Sequence, residues 1–217
     1  DGNINILMDP ANKATFSIPY SSITTSYVNT KVKEKYGSYK VTTSTSSISH
    51  VDHKIEGDFG EHWKFSSKQS KVDVYANYES NYVELSLEGQ NVSFSIKTNA
   101  AEEYYGGGVQ FNEPGWKGKT YVHLSQENGI GRGDQPITRS TKKVGIAGEY
   151  NSTYYPVSFF VSNNRKGFWV DPTGYFEIVF KDNEIRVKSL TDFCRIRFYR
   201  NKSVINVIRD FNEINGR

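Results

Sequence analysis

Residues 104–121 read YYGGGVQFNEPGWKGKTY, and residues 129–136 read GIGRGDQP. Gly106, Gly107 and Gly108 directly follow two tyrosines. Lacking Cβ atoms, they let the backbone turn tightly or lie flat against a ring. Gln110, Asn112, Trp116, Arg132, Asp134 and Gln135 come next, a set of planar amides, charged groups and one indole. Side chains of this kind grip hydroxyl-rich ligands through paired hydrogen bonds. The expected chemistry here is recognition of something polar, a sugar first of all. Trp116 lies in a GWKG loop, where an indole either stacks on a ligand, meets a neighbouring domain or packs in the core.

Other groupings point less far. His50 and His53 are spaced like a metal pair, but strand positions three apart face opposite ways. Only His62 and His123 remain as further imidazoles, so neither a metal site nor a cofactor is expected. Cys194 is the sole cysteine, which excludes an intrachain disulfide and a cysteine-based zinc site. Between Phe193 and Ile196 it reads as a small buried hydrophobe. The triple glycine is followed by neither a helix nor a G-K-[ST] pattern, so phosphate cradling is not indicated. No G-x-S-x-G elbow supports a serine triad. Arg132-Gly133-Asp134 is an adhesion tripeptide, of the kind that recurs by chance. Glu113, Glu127, Asp134 and Asp171 offer carboxylates for glycoside hydrolysis, which in its retaining form needs two about 5 Å apart. Spacing brings no two of them together, and turn or strand-end roles suit them better.

Composition narrows the classes. Of 217 residues 36% are apolar and 14% aromatic, enough for a sizeable core in one all-β unit. The net charge of +3 is spread over interspersed signs, without the basic stripe of a nucleic-acid binder. Lys31, Lys33 and Lys35, broken by Glu34, read as a solvated strand face. No run nears the ~20 apolar residues of a membrane span. Sequons occur at Asn91, Asn151 and Asn201, and in a chain this rich in Asn, Ser and Thr chance accounts for them at least as well as secretion. The first residues, DGNINILMDP, carry neither an initiator Met nor a signal-peptide pattern, as in a mature product or an excised domain. The compartment stays open.

Period-two alternation organises the chain. Val83, Leu85 and Leu87, the EGQN turn, then Val92, Phe94 and Ile96 predict a hairpin with one buried face. Residues 157–162 and 167–171 flank NNRK as a second hairpin, and residues 176–180 lead through KDNE to Ile185 and Val187. Cys194, Ile196 and Phe198 alternate on the next run, and residues 14–18, 23–28, 38–49 and 53–58 also favour extended structure. The predicted fold is all-β, a two-sheet antiparallel β-sandwich. Residues 203–215 depart from it: Val204, Ile205, Val207, Ile208, Phe211 and Ile214 have helical spacing, with Ser203 as N-cap and Gly216 beyond the end. That stripe must pack either on the sandwich or on a further domain.

The runs YYGGGVQFNEPGWKGKTY, LSQENGIGRGDQP and TYYPVSFFVSNNRKGFWVD, in this order, resemble the N-terminal domain of glycoside hydrolase family 31 (GH31), in its α-glucosidase and sulfoquinovosidase branch. There a G-x-G-x-Q-F strand precedes an E-Q-G-[IV]-G-R loop. The likeness is carried by residues 80–217, with the first 80 following only in pattern. Val109, where many relatives have Glu, and Gln126-Glu127-Asn128, where Glu-Gln is usual, depart from it. The resemblance implies a galactose-mutarotase-like sandwich over 1–200 and a helix over 201–217 leading to a (β/α)8 catalytic barrel. It implies that the catalytic aspartates lie in that barrel and none in this chain. The partners implied are the barrel of the same polypeptide and an α-linked saccharide, with Gln110, Trp116, Arg132, Asp134 and Gln135 at the substrate entrance. An apolar patch rimmed by the 105–136 loop and the 203–215 helix is then expected. A free-standing carbohydrate-binding module, with Trp116 as its platform, is the alternative. A sugar epimerase or mutarotase using a His/Glu pair is a third reading.

Overall fold

The computed structural model describes residues 2–8, 14–35, 38–50, 52–54, 62–67, 70–109, 113–125, 136–144 and 153–216. In chain order its elements are β1 (Asn3–Leu7), β2 (Ala14–Pro19), β3 (Thr24–Lys35), β4 (Ser38–His50), β5 (Asp52–Lys54), β6 (His62–Ser66), β7 (Lys71–Tyr78), β8 (Tyr82–Glu88), β9 (Ser93–Lys97), β10 (Tyr104–Gly108), β11 (Thr120–Val122), α1 (Pro136–Val144), β12 (Pro156–Ser162), β13 (Lys166–Val170), β14 (Phe176–Phe180), β15 (Glu184–Ser189), β16 (Phe193–Arg200) and α2 (Val204–Asn215).

Strand alternation decides how these assemble. One antiparallel sheet runs β10-β12-β13-β16-β8-β7-β6-β5, the other β11-β14-β15-β9-β3-β4, and β1-β2 forms a separate hairpin. Val83, Leu85 and Leu87 of β8 and Cys194, Ile196 and Phe198 of β16 point inward from the first sheet. Phe94 and Ile96 of β9, Ile185 and Val187 of β15, and Ile178 and Phe180 of β14 point inward from the second. All join one core. Each such side chain stabilises the fold by roughly 1.5–3 kcal/mol when fully buried. The expected all-β, two-sheet antiparallel sandwich is the fold observed.

The hairpins around NNRK and KDNE form as β12-β13 and β14-β15. The one expected from residues 83–96 does not. β8 pairs with β7 and β16, whereas β9 pairs with β15 and β3. The EGQN segment is an arch that carries the chain from one sheet to the other, with Asn91 at φ 45°. Strands of one hairpin and strands facing each other across a core show the same alternation, so periodicity does not separate the two. The two histidines of His50-Val-Asp-His53 fall on strands of different sheets, and their side chains lie outside the described residues.

β1 begins earlier than the first strand expected from sequence. Ile4 and Ile6 alternate with asparagines and join Phe16 and Ile18 in the main core. Phe16 packs 4.6 Å from Phe198, ring to ring, which seats the hairpin against the first sheet. On the second sheet the Ser95 amide donates to Ser22 Oγ at 3.1 Å, and Lys97 Nζ donates to Asn3 Oδ1 at 3.0 Å.

α2 matches its expected bounds. Ser203 Oγ accepts from the Asn206 amide at 3.2 Å, and Gly216 ends the helix with φ 88°. Its stripe returns to the sandwich: Val207 and Phe211 pack on the outer face of β12 and β16, against Phe159, Val161 and Tyr199. Phe211 stacks on Phe159 at 4.0 Å between centroids, 8° from parallel. Phe211→Ala is expected to lower the unfolding free energy by about 2 kcal/mol, below the full value for a buried Phe because Phe211 is half-buried. Urea unfolding reads this directly, and an unchanged midpoint would mean that α2 adds no stability.

Candidate functional site

The glycine run is the edge strand of the larger sheet. Gly106, Gly107 and Gly108 have φ of 125°, 88° and 86°, all in the region that side chains avoid. A Cβ on Gly106 would lie 2.2 Å from the Phe159 carbonyl oxygen, and one on Gly108 would lie 2.1 Å from that of Tyr155. At Gly107 the close neighbour is the Trp116 indole, 2.7 Å from the same imagined atom. The backbone does lie flat against a ring, and the ring belongs to the protein itself.

Trp116 is 2% exposed. Its Nε1 donates to the Gly106 carbonyl at 2.9 Å, and its backbone amide donates to Tyr104 O at 3.0 Å. The indole meets Tyr121 and Phe160 edge-on and stacks on Phe180 at 5.8 Å. β10 and β11 are edge strands of the two sheets, and the segment between them carries Trp116 into the gap as a plug. Of the roles open to it in the sequence, core packing is the one observed. The aromatic platform required of a sugar-binding module at this position is therefore taken up by the core.

The neighbouring polar groups form a clip that the sequence did not reveal. Glu102 and Lys166 pair at 2.9 Å with side chains 1% and 9% exposed. The Glu102 carboxylate also accepts from Tyr104 OH at 3.0 Å and Thr98 Oγ1 at 3.1 Å. Lys166 Nζ lies 3.4 Å from Thr15 O and 5.0 Å above the Phe16 ring. The clip ties β13, the approach to β10 and the β1-β2 hairpin together. Burial, then the nearby Glu102 charge, raises the Tyr104 phenol well above its ordinary range, so it stays a donor. In sequence Glu102 belongs to an AAEEYY run that looks solvated, and only the fold brings Lys166 to it.

His123 shares a hydrogen bond with Tyr121 OH at 2.9 Å and stacks on Phe176 at 4.7 Å. Burial lowers its pKa from the ordinary 6.5. Because the folded pKa lies below the unfolded one, the unfolded chain binds the extra proton between the two values. The stability of the neutral form is present above about pH 6.5 and is lost as pH falls through the lowered value. His123→Phe should flatten the decline in urea midpoint between pH 7.5 and pH 5, and identical slopes would contradict this. Cys194 is inward-facing and buried, and burial, aided by the Asp171 charge, pushes its thiol up to about 12. Asp171 accepts from the Thr173 amide at 3.0 Å, a turn role.

Of the expected entrance residues only Trp116 is among those described; Gln110, Arg132, Asp134 and Gln135 lie outside them, as does Glu127. Around the β10 edge Tyr105, Val109, Tyr154 and Tyr155 are exposed, Tyr155 to 67%. The Val109 amide donates to Tyr155 O at 3.2 Å, which holds the far end of that edge together. Ile205 on α2 is exposed as well. Among the described residues no three His, Cys, Asp or Glu side chains gather as a metal site, and no helix is long and apolar enough to cross a membrane.

No protein-family model and no curated protein matches the chain. Solved structures do. A GH31 family sulfoquinovosidase from E. rectale, in complex with an aza-sugar inhibitor, matches with a TM-score of 0.79 at 20% identity, over 90% of this chain and 30% of that one. A GH31 dextranase from Flavobacterium johnsoniae matches with a TM-score of 0.43 at 15% identity, over 75% of this chain and 20% of that one. The cycloalternan-forming enzyme of Listeria monocytogenes matches with a TM-score of 0.43 at 13% identity, over 89% and 22%. The chain thus has the fold of one region of a GH31 sulfoquinovosidase and spans 30% of that chain's length.

Proposed function

We propose that this chain is the non-catalytic N-terminal, galactose-mutarotase-like β-sandwich of a GH31 glycosidase, a retaining hydrolase of α-linked sugars. The observation that carries the proposal is a likeness extending over 90% of this chain but only 30% of the sulfoquinovosidase. The remainder of such an enzyme would be the (β/α)8 barrel with the nucleophile and the acid/base. In this reading the sandwich supports the barrel in the same polypeptide, and α2 leads toward it. The exposed edge at Tyr105, Val109, Tyr154 and Tyr155 is the face the barrel covers, since large apolar side chains clustered on a surface mark contact sites. Gln110, Arg132, Asp134 and Gln135 then border the substrate entrance. The test is hydrolysis of 4-nitrophenyl α-glucoside and 4-nitrophenyl α-sulfoquinovoside by the 217-residue chain. Release no faster than in buffer is expected. Turnover at rates usual for glycosidases would overturn the proposal.

A further inference from the structure

We infer that the outer face of the six-stranded sheet carries an oxyanion site centred on Arg186. The inference does not depend on the glycosidase reading. Arg186 lies on β15 between the inward-facing Ile185 and Val187, so its own side chain points to the outer face. Two adjacent cavities, of about 410 Å³ and about 220 Å³, share Arg186 and Thr24 as lining residues. The Arg186 Nε is enclosed, yet it has no hydrogen-bond partner among the described residues. An enclosed guanidinium N–H without an acceptor is the donor half of an incomplete pair.

The carboxylates beside it make their contacts with other groups, although the Arg186 charge is one of those that lower the Glu184 carboxyl, after the Lys181 hydrogen bond. Glu184 holds Lys181 at 2.5 Å, with Lys97 opposite it across the β15-β9 ladder. Glu177 accepts from Tyr175 OH at 3.1 Å and has Lys188 at 3.9 Å. Among the described residues the walls of the two cavities hold more cations (Lys97, Arg186 and Lys188) than carboxylates (Glu177 and Glu184), and Arg186 makes no ion pair within 4 Å. Its planar fork fits the paired oxygens of a carboxylate, sulfate or phosphate. Thr24, Ser26 and Ser93 add hydroxyls at the same wall. Among the described residues no aromatic side chain lines either cavity, so none of them offers a neutral sugar a ring to stack on. The shared chemistry is an oxyanion, either free or carried by a small polar molecule such as a uronate.

The test is amide chemical-shift titration of the 217-residue chain with sodium sulfate, sodium glucuronate and glucose, at constant ionic strength in chloride. Saturable shifts in β9 and β15 with sulfate or glucuronate, and none with glucose, are expected. Arg186→Gln should weaken binding about tenfold or more while circular dichroism stays unchanged. Glucuronate binding along with sulfate would mean a sugar-borne anion, whereas sulfate binding alone would limit the site to small ions; both support it. Should Arg186→Gln not fold, Glu184→Gln decides, because removing a competing carboxylate should tighten binding roughly threefold. Shifts by glucose equal to those by glucuronate, no saturation with either anion, or unchanged affinity in both variants would overturn the inference.

Discussion

Gly106→Ala is expected to lower the unfolding free energy by about 3–4 kcal/mol. Placing a side chain at positive φ costs roughly 1–2 kcal/mol. The new Cβ would also stand 2.2 Å from the Phe159 carbonyl oxygen, a backbone atom that cannot swing aside. Relief requires β10 to move off β12, which breaks ladder hydrogen bonds at about 0.5–1.5 kcal/mol each. It also shifts the Gly106 carbonyl that receives the Trp116 indole N–H. Gly118 is the control, since it has φ 73° and nothing within 4 Å of an added Cβ. Gly118→Ala should cost only the conformational part, about 1–2 kcal/mol. Equal urea midpoints for the two variants would mean that the glycine run is not needed for close packing.

The second large effect concerns the clip. Lys166→Met leaves the Glu102 carboxylate 1% exposed and without its counter-charge, which should cost about 3–5 kcal/mol. Glu102→Leu strands the ammonium, leaving it the long contact to Thr15 O and the face of the Phe16 ring. The double variant Glu102→Leu with Lys166→Met buries neither charge. It should be more stable than either single variant, with a coupling of about 2 kcal/mol or more. Additive losses in the double-mutant cycle would show that the two groups contribute independently.

How much of this was legible in the chain differs from element to element. The β12-β13 and β14-β15 hairpins announce themselves because NNRK and KDNE supply turn residues between alternating strands. α2 carries its own cap, stripe and terminal glycine. Alternation predicts a β8-β9 hairpin that the fold does not form, because it is the same whether strands sit side by side or face each other across the core. α1 escaped notice because PITRSTKKV has only Ile137 and Val144 as large apolar residues, and both are exposed. Pro136 at its first position was the available signal. At the candidate site the glycines and Trp116 stand out in the sequence, and in the fold the ring and the glycine backbone are each other's partners. Glu102 and Lys166 are 64 positions apart, and nothing local marks them as a pair.

Reading the codons that follow Arg217 in the encoding gene is the most direct check on the proposed role. The expected result is an open frame continuing into alternating strands and helices, with a pair of catalytic aspartates in a barrel. A stop codon at once, or a continuation unrelated to any barrel, would contradict it.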